Sequence, residues 1–129
     1  MPTTNFLRLY SAIVPCTDIA RARSWYEQNL GFKMIHSEGD TLVVFQVGDG
    51  NACLSIQLNG SKPAPGHEVA FEIRDAAALH AQLSKLGVEV SNVTKDLERY
   101  LVFAFQDSEG NELSVFQDLS GPMTTPPIS

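Results

Sequence analysis

Few side chains in this sequence could do chemistry, and they are scattered along it. The chain has three histidines and two cysteines, and Cys16 and Cys53 form neither a Cys-x-x-Cys pair nor a cluster with histidine. These cysteines are too few for a disulfide framework, so we expect reduced thiols. No serine has a histidine and an aspartate at matching positions, which argues against a nucleophilic triad.

The three histidines are isolated from one another. His36 ends a predicted strand far from the other candidate residues, His67 stands beside Glu68, and His80 falls on a predicted helix. Successive strand residues point to opposite faces, so His67 and Glu68 would diverge if a strand extends to them. A lone imidazole without a second ligand at suitable spacing favours an ordinary surface or core role over metal binding.

Composition points to one soluble domain without a nucleic-acid partner. The 129 residues are 43% hydrophobic and 19% charged, and no apolar run approaches the roughly 18 residues needed to span a bilayer. The N-terminus has no secretory signal, so we expect a cytoplasmic protein that does not enter membranes. The formal charge of −6, with the basic residues scattered, argues against nucleic acid, because phosphate binding needs clustered Lys and Arg.

The elements that must position these side chains occur twice. Each copy reads as a short strand, a capping aspartate, a helix, a Leu-Gly stop and a new strand. Asp18 and Asp75 suit the helix N-cap, where a carboxylate accepts the unpaired amide hydrogens of the first turn. Gly31 and Gly87 suit the left-handed position just past a helix. Apolar residues recur between them at helical spacing, so both helices are predicted to be amphipathic.

Three strand-like runs follow each predicted helix, with polar turns between them. A connector rich in Pro and Gly, residues 59–66, separates the copies, and the tail at 120–129 has no periodicity, so we expect it to be mobile. The predicted strands are 32–37, 41–47 and 52–58 in the first copy, and 88–93, 100–106 and 112–117 in the second.

The repeat carries motifs of a known family. Residues 17–32 combine the capping aspartate with helix, Leu-Gly and Phe, and residues 105–111 place Asp-x-x-Gly-Asn before the last strand. Over residues 8–117 the sequence resembles the vicinal oxygen chelate superfamily, which includes glyoxalase I, extradiol dioxygenases and bleomycin-binding proteins. The resemblance implies an α+β fold, in which tandem βαβββ modules form a curved mixed sheet around a cavity with the helices outside.

The resemblance also implies the domain boundaries. Residues 1–119 would be a single domain, with module one over 8–58, the linker over 59–66 and module two over 67–117.

Metal-using members of that superfamily place His, Glu or Gln at four cavity positions. The resemblance maps these positions onto Ser11, Ser55, Glu68 and Ser114. One carboxylate and three neutral hydroxyls hold a catalytic divalent cation poorly. We therefore expect no metal and no other cofactor.

The same positions outline an expected ligand site. Ile13 would face the cavity beside Ser11 because side chains alternate along a strand, and Gln57 would share the face of Ser55. Aromatic side chains on the sheet could stack a flat ligand, although alternation sends about half of them into the core instead. The expected ligand-binding residues are Ser11, Ile13, Phe45, Ser55, Gln57, Glu68, Tyr100, Phe103, Ser114 and Phe116.

These features support two main functions and a minor third. The first is metal-independent binding of an amphipathic or aromatic small molecule, as in drug-sequestering bleomycin-resistance relatives, whose cationic drug is compatible with the charge of −6. The second is a metal-free isomerase, lyase or cyclase with Glu68 as general acid or base. The third is a divalent-metal glyoxalase- or dioxygenase-like enzyme with displaced ligands. Relatives commonly dimerise, so we expect a homodimer.

Glu68 separates the first two functions. A carboxylate in an apolar cavity can act as general acid or base, whereas a solvated or hydrogen-bonded glutamate at a strand end has no catalytic role. If Glu68 is the general acid or base, Glu68→Gln is expected to abolish conversion and spare binding, because the amide keeps the shape of the side chain but cannot exchange a proton. Turnover and binding should be measured on the same preparation, and a variant with full turnover would contradict the catalytic role.

Overall fold

The repeat is present in the structure, a computed structural model that describes residues 5, 11–48, 52–58 and 69–121. The chain divides into two units, residues 1–65 and 66–129. The expected connector at 59–66 and most of the expected tail lie outside the described residues. No helix in the described ranges is long and apolar enough to cross a membrane.

The first unit is a four-stranded mixed sheet with one helix. Its strand order is β1-β4-β3-β2, in which β1 is parallel to β4 and the other neighbours are antiparallel. The elements are β1 Ser11–Cys16, α1 Ile19–Leu30, β2 Lys33–Glu38, β3 Leu42–Gln46 and β4 Cys53–Leu58.

The second unit repeats this plan. Its strand order is β5-β8-β7-β6, and β5 is parallel to β8. The elements are β5 Val69–Glu72, α2 Ala76–Lys85, β6 Thr94–Asp96, β7 Tyr100–Gln106 and β8 Glu112–Asp118. The predicted α+β fold of two βαβββ modules is therefore confirmed.

Both helices begin at the predicted aspartates. Asp18 accepts a hydrogen bond from the Arg21 amide at 3.1 Å, and Asp75 accepts one from the Ala78 amide at 3.0 Å. Such a cap contributes about 1 kcal/mol, because it satisfies an amide that the helix itself leaves unpaired. Gly31 ends α1 in the left-handed conformation, with φ of 68°.

The core of the first unit is an aromatic cluster between α1 and the sheet. Tyr26 and Phe45 are fully buried, with ring centroids 5.7 Å apart, and Phe32 lies 6.2 Å from Phe45. Burial of a large apolar side chain contributes about 1.5–3 kcal/mol. We expected Phe45 in the ligand site, but its packing against α1 accounts for it as a core residue. The face of the sheet to which Phe45 points depends on the register of β3, which the sequence alone does not determine.

The core of the second unit follows the alternation of β7 and β8. Phe103, Phe105, Leu113 and Val115 are buried on the face covered by α2, where Leu83 is fully buried. Their alternate neighbours therefore lie on the opposite face. We call the sheet face opposite the helix the open face of each unit.

The Asp-x-x-Gly-Asn motif holds the turn between β7 and β8. Asp107 Oδ1 accepts hydrogen bonds from the amides of Glu109 and Asn111, both at 2.9 Å. The Asn111 side chain donates to the second carboxylate oxygen at 3.0 Å, and Gly110 takes the left-handed conformation with φ of 80°. These residues shape the backbone, so the motif is explained by the fold.

One predicted strand is wrong. Residues 88–93 do not form a continuous strand; a single bridge joins Val90 to Phe105, and β6 begins only at Thr94. An irregularity at Ser91, whose side-chain hydroxyl accepts from the Ala104 amide, interrupts the ladder between these two pieces.

Candidate functional site

The open face of the second unit carries small and apolar side chains in its centre. Ala104 of β7 lies opposite Ser114 of β8, which in turn lies opposite Ala70 of β5. Val102 lies opposite Phe116 in the neighbouring row. Because alanine and serine are short, the middle of the sheet is left as a depression.

A cavity of about 560 Å³ fills this depression. Its floor is formed by Ala70, Val102, Ala104 and Phe116, and we call Ser91, Asn92, Thr94 and Asp96 its polar wall. Ser114, Phe103 and Val115 complete the lining. Asp96 is the single charged side chain among these lining residues.

The predicted aromatic residues of this unit differ in orientation. Tyr100 and Phe116 meet edge to face, with ring centroids 5.9 Å apart. Phe116 lines the cavity, whereas the predicted Tyr100 is not among its lining residues. Phe103 borders the cavity, but its ring contacts His80 of α2 edge to face at 5.2 Å. Phe116 is thus the aromatic ring best placed to contact a ligand, and Phe103 supports the sheet from the helix side.

An ion pair between the half-exposed Arg99 and the buried Asp118 lies at the end of the sheet beside Tyr100. The guanidinium group of Arg99 donates two hydrogen bonds to Asp118, at 3.0 and 2.9 Å, and lies 5.3 Å from the Tyr100 ring centroid. The Asp118 carboxylate also accepts from the Ser120 amide at 2.9 Å. These bonds, those from Arg99 first, lower the pKa of Asp118, and the hydrogen bond to Asp118 raises the pKa of Arg99.

The hairpin between β6 and β7 places Asp96. Its two central residues, Leu97 and Glu98, have φ values of 52° and 54° although neither is glycine. Positive φ at both central positions is typical of a tight turn, and the register of β6 and β7 leaves three residues, 97–99, between the paired Asp96 and Tyr100. Each non-glycine residue in the left-handed region costs about 1–2 kcal/mol. The Arg99 amide bonds the Asp96 carbonyl at 3.1 Å, which closes the turn.

The open face of the first unit brings another set of predicted residues together. Ser55 lies between Ile13 of β1 and Val44 of β3, and Val44 lies opposite His36 of β2. Ser55 is buried, whereas Ile13 is 59% exposed and Gln57 is exposed. His36 was expected far from these positions; a register shift in β2 brings it into their row. His36 Nε2 is 3.5 Å from Glu38 Oε2.

Two expected residues cannot be placed. Glu68 lies outside the described residues, and only the backbone of Ser11 is described, opposite Cys53. Cys16 and Cys53 are buried free cysteines, as expected.

Comparison with known proteins decides the family. A sequence model of the glyoxalase/bleomycin resistance protein/dioxygenase superfamily matches residues 8–115. The chain belongs to this superfamily. No curated protein sequence matches the chain.

Solved structures of the superfamily share the fold at low sequence identity. The antibiotic-binding protein TnmS3 from Streptomyces has 17% identity and a TM-score of 0.77, over 90% of this chain and 99% of that chain. A superfamily member from Sphaerobacter thermophilus has 17% identity and a TM-score of 0.75, over 88% and 98%. Lactoylglutathione lyase from Agrobacterium tumefaciens has 15% identity and a TM-score of 0.71, over 88% and 96%. These similarities establish the fold.

The described residues do not fit the metal that some superfamily members use. Ser55 and Ser114 stand at equivalent positions in the last strand of each unit and offer neutral hydroxyls. Within the described ranges no group of three or more His, Cys, Asp and Glu side chains could hold a metal ion. Divalent cations in such sites need imidazoles, carboxylates or thiolates, which Ser55 and Ser114 do not supply.

The polar wall is the part of the site that the sequence pattern does not predict. The predicted strand 88–93 ended before Thr94 and Asp96, and the alternation was broken at Ser91. Residues 94–96 and the strand that begins at Tyr100 form one hairpin, in which Thr94 pairs with Val102 and Asp96 with Tyr100. This pairing places Thr94 and Asp96 on the open face.

Lowering the pH tests the Arg99–Asp118 pair. Because the folded pKa of Asp118 is lowered, the pair stabilises the fold above the ordinary carboxyl pKa, and this contribution is lost as the pH falls through the lower folded value. Arg99→Gln should reduce the free energy of unfolding at pH 7, and its difference from wild type should shrink below about pH 4. Urea titrations across this range measure the difference.

Arg74→Gln, which removes another exposed arginine of the same unit, is the control. Its difference from wild type should not follow the titration of Asp118. An Arg99→Gln deficit of equal size at pH 3 and pH 7 would show that the pair is not coupled to folding.

Proposed function

We propose that this superfamily member is a metal-independent protein that binds an amphipathic or aromatic small molecule in the cavity of its second unit, and so sequesters a drug or metabolite. The observation that carries the proposal is the cavity of about 560 Å³ with an apolar floor and a polar wall. Small-molecule sites are typically concavities of about 300–1,000 Å³ with a mainly apolar lining and a few polar groups. The antibiotic-binding name of TnmS3 agrees with this use of the fold.

The floor would bind the apolar body of the ligand. Ala70 and Ala104 leave space above the sheet, and Phe116 offers a ring for offset or edge-to-face contact. Ser114 lies between the two alanines in the register of the sheet. An aromatic or polycyclic ligand would thus contact the floor over its whole length.

The polar wall would orient the ligand. Asn92 and Thr94 offer hydrogen-bonding groups, and Asp96 offers a negative charge. Neighbouring charges are paired elsewhere, Lys95 with Glu98 and Arg99 with Asp118. Asp96 would therefore favour a ligand with a positive charge or a strong hydrogen-bond donor at one end.

Other expected features remain predictions. Ser11, Ile13, Ser55 and Gln57 are proposed as a second ligand-contacting surface on the first unit. A metal-free isomerase, lyase or cyclase with Glu68 as general acid or base is the alternative to binding alone. The homodimer and the cytoplasmic location belong to the same proposal.

Filling the cavity tests binding. Ser114→Leu puts a larger side chain between Ala70 and Ala104, and should weaken binding of the neutral dye Nile red by about tenfold, because an overfilled site costs about 1–3 kcal/mol. Fluorescence titration measures the affinity. Ser84→Leu, on the exposed surface of α2, is the matched control and should bind as wild type does.

Ala70→Leu fills the same space from β5 and serves if Ser114→Leu does not fold. Thermal unfolding shows which variants are folded. A folded cavity-filling variant that binds Nile red with wild-type affinity would contradict ligand binding in this cavity.

The charge of Asp96 gives a separate prediction. Asp96→Asn should weaken binding of the cationic dye thioflavin T by about fivefold at low salt, the effect of about 1 kcal/mol for two charges some 4 Å apart in water. Nile red binding should be unchanged. The fivefold effect should be lost in 1 M salt, where the Debye length is about 3 Å. Asp40→Asn, at an exposed turn of the first unit, should change neither affinity.

A further inference from the structure

The polar wall of the cavity is built on an irregular pairing with β7. The Gln106 amide donates to the Glu89 carbonyl at 3.1 Å, and the Ser91 amide donates to the Ala104 carbonyl at 2.8 Å. The next pair joins Thr94 to Val102. Between these pairs one chain advances from 91 to 94 while the other advances only from 104 to 102. The wall therefore contains one extra residue, which is a β-bulge.

At the bulge, the side-chain hydroxyl of Ser91 replaces its backbone carbonyl as the hydrogen-bond acceptor in the ladder. In a regular antiparallel pair the Ala104 amide would donate to the Ser91 carbonyl. Here the Ala104 amide donates to Ser91 Oγ at 2.8 Å. The hydroxyl thus takes the place of the backbone acceptor, and the Ser91 carbonyl is directed out of the ladder.

His80 of α2 forms a hydrogen bond with the displaced carbonyl. Its Nε2 lies 2.9 Å from the Ser91 carbonyl oxygen. Because a carbonyl oxygen only accepts, Nε2 must carry the hydrogen in this contact. The imidazole ring also packs edge to face against Phe103, with ring centroids 5.2 Å apart. Phe103 directly precedes Ala104, whose amide donates to the Ser91 hydroxyl.

We propose that Ser91 and His80 are positioning residues that together hold this bulge, and that the bulge gives the polar wall its shape. Without the hydroxyl or the imidazole, the Ser91 carbonyl would return to the Ala104 amide and the strand would run regularly. A shift of one residue moves side chains to the opposite face, so Asn92 and Thr94 would change their orientation toward the cavity. The effect on binding rests on the proposed function, whereas the hydrogen-bond arrangement does not.

Two readouts test this proposal independently. The first is Nile red affinity for Ser91→Ala, for His80→Leu and for the double variant. Each single change should weaken binding by about three- to tenfold, in the range of one net hydrogen bond. The double variant should lose no more than the larger single loss, because either change releases the same bulge.

Conservative variants separate positioning from general destabilisation. Ser91→Thr keeps the hydroxyl and His80→Gln keeps a side-chain N–H donor, so both should bind within about twofold of wild type. Ser84→Ala, on the same helix as His80 and exposed, is the control for loss of a hydroxyl. Additive losses, or a folded Ser91→Ala variant with wild-type affinity, would overturn the proposal.

The second readout does not require a ligand. In ¹⁵N-labelled protein, His80 should show a protonated Nε2, and both this signal and the slow hydrogen exchange of the Ala104 amide should change in Ser91→Ala. An unchanged imidazole signal in that variant would contradict the bulge assignment. If wild type fails to bind Nile red while the imidazole and amide signals behave as expected, the proposed function fails and the bulge assignment stands.

Discussion

Each unit depends on the parallel pairing of its first strand with its last. β1 pairs with β4, and β5 with β8, so strands far apart in the sequence become neighbours. The strand after the helix then lies at the opposite edge of the sheet. The helix must cross the whole sheet between those edges, and it covers one face in doing so. The alternation of side chains decides which residues occupy the opposite face.

Local signals made much of this architecture predictable. Asp18, Gly31 and Asp75 mark helix ends because capping is decided within a few residues. β7 was predicted with its observed bounds because its apolar run is flanked by polar turns. Ser114 was expected at the ligand site, and it lines the cavity of the second unit.

The remaining site features depend on partners distant in the sequence. Whether Phe45 faces α1 or the open side depends on strand register, which its own segment does not determine. The bulge at Ser91 depends on a hydrogen bond to Ala104 and another to His80. A serine in a strand carries no local mark of such a role, so the polar wall was missed.

The hairpin that carries Asp96 has a consequence for the entropy of association. Leu97 and Glu98 take a conformation that is unfavourable for their residue types, and hydrogen bonds at Arg99 hold the turn closed. The backbone freedom of this segment is therefore given up when the protein folds. A ligand bound at the Asp96 carboxylate, as proposed, would meet a preorganised support, and little further ordering of the main chain would oppose its association.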